Sequence, residues 1–432
     1  MTVNTKTIGK YRYRILALIF LATTINYLDR SILGVLGPTL RDKVFHWSNS
    51  DYALINVSFK VAYAFGLLFM GSIIDKVGVR LGYTISIAIW SIFGMMHALV
   101  QPAFSLIGFI TARFGLGFGE SGNFPAAIKT VAEWFPKKDR AFATGIFNAG
   151  SNVGAILAPL IIPLVVNSAT GENWQFAFLV SGTFSAIWVF LWWRTYRLPQ
   201  FHPKVTKAEL DYIEADSGIE TPSQVKWSKL FRFKQTWAFS LGKLTDAAWW
   251  FYLFWATFFL TDKFHLQLSQ LALPMIVIYV MADIGSIAGG YISKYLMTMG
   301  WTLNKARKIS LLICVLFILP VCFATQTNNP WIAIILIALA AAGHQAWSAN
   351  LFTVVSDVFP KKAVASVVGI GGLVGALAGV VADLSLGKVL DDSGPSAYFF
   401  AFLFAGLIYV FALIVIQILL PKLDAVNEKD IE

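Results

Sequence analysis

Residues 133–146 read EWFPKKDRAFATGI, and residues 357–370 read DVFPKKAVASVVGI. Phe135-Pro136-Lys137-Lys138 recurs as Phe359-Pro360-Lys361-Lys362, and Gly145-Ile146 as Gly369-Ile370, all at one offset, 359 − 135 = 224. A basic Phe-Pro turn between two apolar runs, repeated at a fixed spacing, marks two copies of one helical unit. Carried back up the preceding helix, the same offset maps Glu120 onto His344 (344 − 120 = 224). Each copy therefore places an ionisable side chain at the same depth of its fourth helix.

Working outward, apolar runs of about 20 residues, the length that crosses a bilayer, fall near 14–36, 54–74, 82–101, 105–128, 141–166 and 174–194. A second set falls near 236–261, 270–293, 307–325, 330–356, 363–388 and 396–420. The expected fold is an all-α integral membrane protein of twelve transmembrane helices in two pseudo-symmetric six-helix bundles. The expected domains are 1–194, a cytoplasmic linker 195–235 and 236–432. The linker carries Lys204, Lys207, Glu209, Asp211, Glu214, Asp216, Glu220, Lys226 and Lys229, a balance that suits a short amphipathic helix.

Composition agrees. Of 432 residues 57% are hydrophobic and 13% charged, about half the charge of an ordinary soluble domain. The 15 Trp and 36 Phe suit membrane interfaces. A net charge of +10 could suggest nucleic acid, but its placement argues otherwise. Lys6, Lys10, Arg12 and Arg14 precede the first span, and Lys137, Lys138 and Arg140 share one loop. Lys305, Arg307, Lys308, Lys361 and Lys362 continue the pattern, whereas the alternate loops hold only Arg41, Lys43, Lys263 and Lys388. By the positive-inside rule both termini are cytoplasmic. Cys314 and Cys322 share one span and form neither a disulfide framework nor a metal pattern. The basic start resembles a signal peptide, but Asp29-Arg30 interrupts its apolar run, so a retained first span is expected.

A loop signature follows span two, Gly71-Ser72-Ile73-Ile74-Asp75-Lys76-Val77-Gly78-Val79-Arg80, with a weaker counterpart at Gly289-Gly290-Tyr291-Ile292-Ser293-Lys294. This loop, the six-plus-six count and the repeat resemble the major facilitator superfamily over essentially the whole chain. Asn26-Tyr27-Leu28-Asp29-Arg30 and the Arg113/Glu120 spacing look like its anion:cation symporter branch. GKLTDAAWWFYLFW (242–255) and HQAWSANLFTVVSDVFPKKAVASVVGIGG (344–372) are similar to bacterial hexuronate (glucuronate and galacturonate) transporters. The resemblance implies a small anionic sugar-acid substrate, the proton as coupling ion with no other cofactor, and a bacterial inner-membrane location. The second loop copy has Lys294 where that family usually has an acid, which puts a matching charge latch there in doubt. Asp75, Lys76 and Arg80 are expected to form a gating loop that stabilises one facing state.

The charged residues inside spans carry the chemistry. Each costs ~2.5–3.5 kcal/mol at the centre of a spanning helix and persists where it faces a protein interior or water. Arg113 and Glu120 lie seven apart, two turns along one face. Arginine offers a planar fork for a carboxylate, and the branch uses the arginines of helices one and four this way, which map onto Arg30 and Arg113. Lys60 and Lys243 follow as anion contacts. Asp29 and Glu120 are expected to carry protons, and His344 to be either a third proton site or a hydroxyl partner. Asn26, Tyr27, Tyr63, Asn123, Asn148 and Asn152 are expected to read hydroxyls, although membrane Asn also joins helices. Trp249 and Trp250 could stack on a sugar or simply pack, and Gln345, Trp347 and Asn350 flank His344. Asp283 and Asp383 suit helix contacts or gating. Gly115-Leu116-Gly117-Phe118-Gly119 has no preceding strand, so close helix packing rather than a phosphate loop is expected.

The expected function is proton-coupled import of a sugar acid, most of all a hexuronate, by alternating access, with a monomer sufficing. The alternatives are another organic anion (an aldonate such as galactonate, a tartrate-like diacid or an aromatic carboxylate) and a sensor that binds a sugar acid without moving it. No nucleophile, metal or cofactor pattern accompanies the charges, so an enzyme is not expected.

Overall fold

The computed structural model describes residues 9–215 and 227–427. Lys6 and the linker residues Asp216, Glu220 and Lys226 lie outside the described residues, as do the side chains of Lys137, Lys138, Lys361 and Lys362. All regular structure among the described residues is helical. The first half comprises α1 Tyr11–Thr39, α2 Asn49–Val77, α3 Val79–Met96, α4 Ser105–Glu120, α5 Asn123–Trp134, α6 Lys137–Val165 and α7 Trp174–Thr195. A short α8 Lys207–Glu214 and α9 Trp227–Leu230 precede the second half. That half comprises α10 Lys234–Gly242, α11 Asp246–Phe264, α12 Ala272–Thr298, α13 Leu303–Ile318, α14 Pro330–Val358, α15 Lys361–Ser393 and α16 Tyr398–Leu419.

Among the described residues nine segments are long and apolar enough to cross a membrane, one of them holding α15 and α16 in tandem, and α2 adds another with a 46° bend. With α4–α5 and α10–α11 taken as broken helices, the described helices are consistent with the expected twelve spans.

The repeated turn has the same backbone in both copies. Phe135 and Phe359 are extended, as a residue before proline must be, and Pro136 and Pro360 start α6 and α15. Phe135 N–H donates to Val131 O and Phe359 N–H to Val355 O, both at 3.0 Å. Asp139 N–H donates to Pro136 O and Ala363 N–H to Pro360 O, both at 2.9 Å. Every partner keeps the 224-residue offset.

By contact, the described chain forms two units, 9–36 with 58–215 and 37–57 with 227–427. In the first, an aromatic ladder one turn apart on α7 stacks Trp188 on Trp192 (4.9 Å between centroids) and Trp192 on Tyr196 (4.2 Å). Trp188 Nε1 ties it to α1 by donating to Leu18 O at 2.7 Å. The glycine run of α4 is packing, as expected: a Cβ at Gly117 would meet Phe59 O at 2.5 Å, and one at Gly119 would meet Trp90 N at 2.5 Å. No methyl fits at either place. The amphipathic helix of the linker is α8, and it docks on the start of α1. Its buried Glu209 accepts from Arg12 N (3.0 Å) and Arg12 NH1 (3.3 Å), and Tyr212 OH donates to Asp139 (2.7 Å).

In the second unit, Gly285 and Gly289 let α12 press against Ala342 and Ala346 of α14, the small-xxx-small packing of membrane helices. Segment 37–57 closes on this unit. After Pro38, α1 loosens into a π-turn at Leu40–Phe45, and Arg41 pairs with Asp262. Asp391 accepts from the backbone N–H groups of Asn49 (2.7 Å) and Ser50 (2.9 Å), capping the first turn of α2. Asp383 proves to be a helix contact, accepting from Trp255 Nε1 at 3.1 Å.

Candidate functional site

The first unit holds a buried charge frame. Arg30 on α1 is 3% exposed and Glu120, the last residue of α4, is fully buried. Arg30 Nε donates to Glu120 Oε2 at 3.0 Å, with NH2 2.9 Å from the same oxygen. The second contact lies off hydrogen-bonding geometry, and Glu120 Oε1 has no partner. The pair is therefore one-sided: half of the carboxylate is buried without a donor, a costly arrangement that suits a group meant to change partner. Around the guanidinium lie the rings of Tyr27 (4.6 Å), Tyr63 (4.9 Å) and Phe59 (5.2 Å). Arg113, also fully buried, sits 4.8 Å from the Phe59 centroid. Two guanidinium groups thus share one aromatic ring.

Asp29 and Arg30 are neighbours in sequence and separate in space, because successive residues on a helix turn by about 100°. Asp29 is 3% exposed and makes no ion pair among the described residues. It accepts from Ser185 Oγ of α7 at 3.4 Å, that serine accepts in turn from Trp90 Nε1 of α3 at 3.1 Å, and Asp29 Oδ1 has no partner. The two acids of this unit thus differ in kind: Glu120 has a cation and Asp29 has a hydroxyl. Lys60 is buried on α2.

The asparagines divide. Asn26 is fully buried one turn before Arg30, and neither amide atom has a partner. Asn148 on α6 is exposed and Asn152 is half-buried. Asn123, by contrast, is held by protein: Oδ1 accepts from Tyr83 OH at 2.6 Å, and Nδ2 donates to Thr23 Oγ1 at 3.3 Å. It joins α5 to α3 and α1.

The second unit holds a separate cluster. Lys243, at the break between α10 and α11, pairs with Asp246 at 2.6 Å. Trp249 lies parallel to His344 of α14 (5.1 Å, 8°), and His344 Nδ1 is 2.6 Å from Tyr409 OH of α16. Trp250 stacks on Phe254. Trp347 packs edge-on to Tyr409, and Gln345 is half-buried. Asn350 Nδ2 donates to Gly289 O and Ala346 O, both at 2.9 Å, which makes it a link between α12 and α14.

At the junction of α2 and α3, Asp75 pairs with Lys129 of α5 at 2.7 Å. Arg80 NH2 donates to Trp193 O at 2.6 Å and the guanidinium lies over that ring; Lys76 is exposed. Despite Lys294, the second unit has a charge link of its own. Arg307 Nε donates to Asp357 at 2.7 Å, and NH1 donates to Ser293 Oγ at 2.8 Å. Sequence reasoning missed it, although the repeat offset carries Glu133 onto Asp357 (357 − 133 = 224). It also missed Tyr409, a neutral residue in an apolar span with no cost to betray it.

Buried charges inside apolar helices, set in two repeat-related helical units, suit a polytopic membrane transporter. Residues 19–383 match the Major Facilitator Superfamily, and the chain belongs to that family. It is 33% identical over 395 residues to the hexuronate transporter of Escherichia coli K12, covering 90% of each chain. It is 30% identical over 339 residues to the galacturonate transporter of Dickeya chrysanthemi, covering 76% of this chain and 95% of that one. Its fold is similar to that of a bacterial homolog of the human lysosomal transporter Spinster, solved inward-facing and unoccupied. That match has a TM-score of 0.76 at 19% identity and covers 95% of this chain and 98% of the other.

Proposed function

We propose that this protein is a proton-coupled symporter that imports a sugar-acid anion, a hexuronate, across the bacterial inner membrane by alternating access, with both termini in the cytoplasm. The observation that carries the reading is the one-sided Arg30–Glu120 pair beside Arg113. A substrate carboxylate competes with Glu120 for the Arg30 fork. When it succeeds, the displaced Glu120 is left buried without its cation, and taking up a proton is the chemistry that resolves an isolated buried carboxylate. Anion and proton are then bound together. Import against a membrane potential needs this: moving one negative charge inward costs about 2.3 kcal/mol per 100 mV. One proton makes the cycle electroneutral, and a second, for which Asp29 is the candidate, lets the potential drive it. The relatives named as hexuronate and galacturonate transporters support the substrate class.

The test is uptake into proteoliposomes with an imposed pH gradient and a panel of hexuronates, aldonates and tartrate. Arg113→Ala abolishes binding and uptake, whereas Glu120→Gln keeps counterflow and loses gradient-driven accumulation. Normal accumulation by Glu120→Gln would remove the proton role, and preference for a non-uronate anion would move the substrate class.

A further inference from the structure

His344 is the repeat-mate of Glu120, yet its ring makes no ion pair among the described residues. The imidazole lies among neutral groups. Trp249 covers one face, and Tyr409 stands edge-on at 6.0 Å with its hydroxyl 2.6 Å from Nδ1. The backbone is pinned as well, since a Cβ at Gly343 would meet Ile318 Cγ1 at 2.5 Å and Cys314 O at 3.1 Å. The charged groups of this cluster are Lys243 and Asp246, and they are bound to each other at 2.6 Å. No carboxylate hydrogen-bonds the imidazole among the described residues.

Tyr409 occupies one ring nitrogen of His344. Its hydroxyl contacts Nδ1 of His344 at 2.6 Å and the carbonyl of Thr245 at 3.3 Å. The carbonyl only accepts, whereas Nδ1 donates or accepts according to the tautomer, and in either tautomer the short contact engages Nδ1. Nε2 has no hydrogen-bond partner among the described residues.

Resting on the sugar-acid reading above, we propose that His344 is a fixed hydroxyl partner that selects among sugar acids, with Tyr409 as its positioning residue, and that it carries no transported proton. The ligand chemistry is a secondary hydroxyl of a uronate, which hydrogen-bonds Nε2. The two repeat-mates then do different work: Glu120 exchanges a proton and His344 reads stereochemistry.

The experiment uses the full chain in proteoliposomes, with D-galacturonate, D-glucuronate and the 2-, 3- and 4-deoxy derivatives of the better substrate. Wild type, His344→Gln, His344→Ala and Tyr409→Phe are compared for uptake efficiency, proton-to-substrate ratio and pH profile, with folding checked by monodisperse gel filtration. His344→Gln, which keeps a neutral hydrogen-bonding group, retains gradient-driven accumulation, the wild-type ratio and the wild-type pH profile. His344→Ala and Tyr409→Phe lose roughly tenfold or more in efficiency for the parent sugar. They lose nothing for one deoxy derivative, so that the preference of wild type for the parent over that derivative collapses toward unity. Counterflow without accumulation in His344→Gln overturns the proposal by making His344 a proton carrier. An unchanged deoxy preference in a folded His344→Ala overturns it by removing the hydroxyl contact. Wild type that moves no uronate overturns the sugar-acid reading itself, a result distinct from either of these.

Discussion

Glu120 and His344 occupy the same place in two copies of one helical unit, and their surroundings diverge. In the first unit the acid meets Arg30 inside an aromatic frame, with one oxygen unsatisfied. In the second, imidazole, phenol and indole pack together beside Lys243, which already has Asp246. The repeat keeps the turn that follows each helix but not the helix itself, which breaks after Glu120 in the first copy and runs unbroken through His344 in the second. Under the reading proposed above, one copy works through charge and the other through shape and hydroxyl contacts.

The largest effect expected from breaking this contrast is on stability. Arg30→Ala strands a buried carboxylate and costs about 3–5 kcal/mol, whereas His344→Ala removes one neutral hydrogen bond and costs about 1–3 kcal/mol. Unfolding in detergent, followed by tryptophan fluorescence, measures both, and adding Glu120→Gln to Arg30→Ala restores part of the loss. Equal costs for the two single variants would mean that the first unit has no special charge frame.

A smaller effect separates the asparagines. Asn123→Ala leaves the hydroxyl of Tyr83 buried without its acceptor, so stability falls by about 1–3 kcal/mol while the half-saturation concentration of the folded protein stays put. Asn148→Ala does the reverse, with unchanged unfolding and a raised half-saturation concentration for uptake.

The smallest effects belong to the two loop links. The Asp75 side chain is 72% exposed, so Asp75→Asn changes stability by less than about 1 kcal/mol. Asp357 is 17% exposed and holds an arginine through two nitrogens, so Asp357→Asn costs more than Asp75→Asn. The same unfolding assay ranks them, and the reverse order would break the comparison.

Much of this was legible beforehand, for identifiable reasons. The repeat was visible because Phe-Pro-Lys-Lys is a rigid turn whose residues cannot drift without moving two helices. Arg30, Arg113 and Glu120 stood out because each is expensive in a bilayer. Cost does not announce direction, however: nothing local said that Asp29 would turn toward Ser185 while Arg30 turned toward Glu120. Nor does residue type separate Asn123, fixed between two helices, from Asn148, left exposed. Tyr409 was invisible because a tyrosine in an apolar run costs little, and the Arg41–Asp262 link joins residues 221 positions apart. Both are products of packing.

The crowding of Gly117 and Gly119 has a consequence for how such a protein can change its diet. Because a methyl at either position would collide with the backbone of a neighbouring helix, α4 cannot be nudged by small mutations, and Arg113 and Glu120 ride on it as cargo. On the reading proposed above, adaptation to a new sugar acid has few footholds in that helix. It has more at Trp249, His344 and Tyr409, where side chains meet side chains. A lineage can thus inherit its engine unaltered and rewrite its menu.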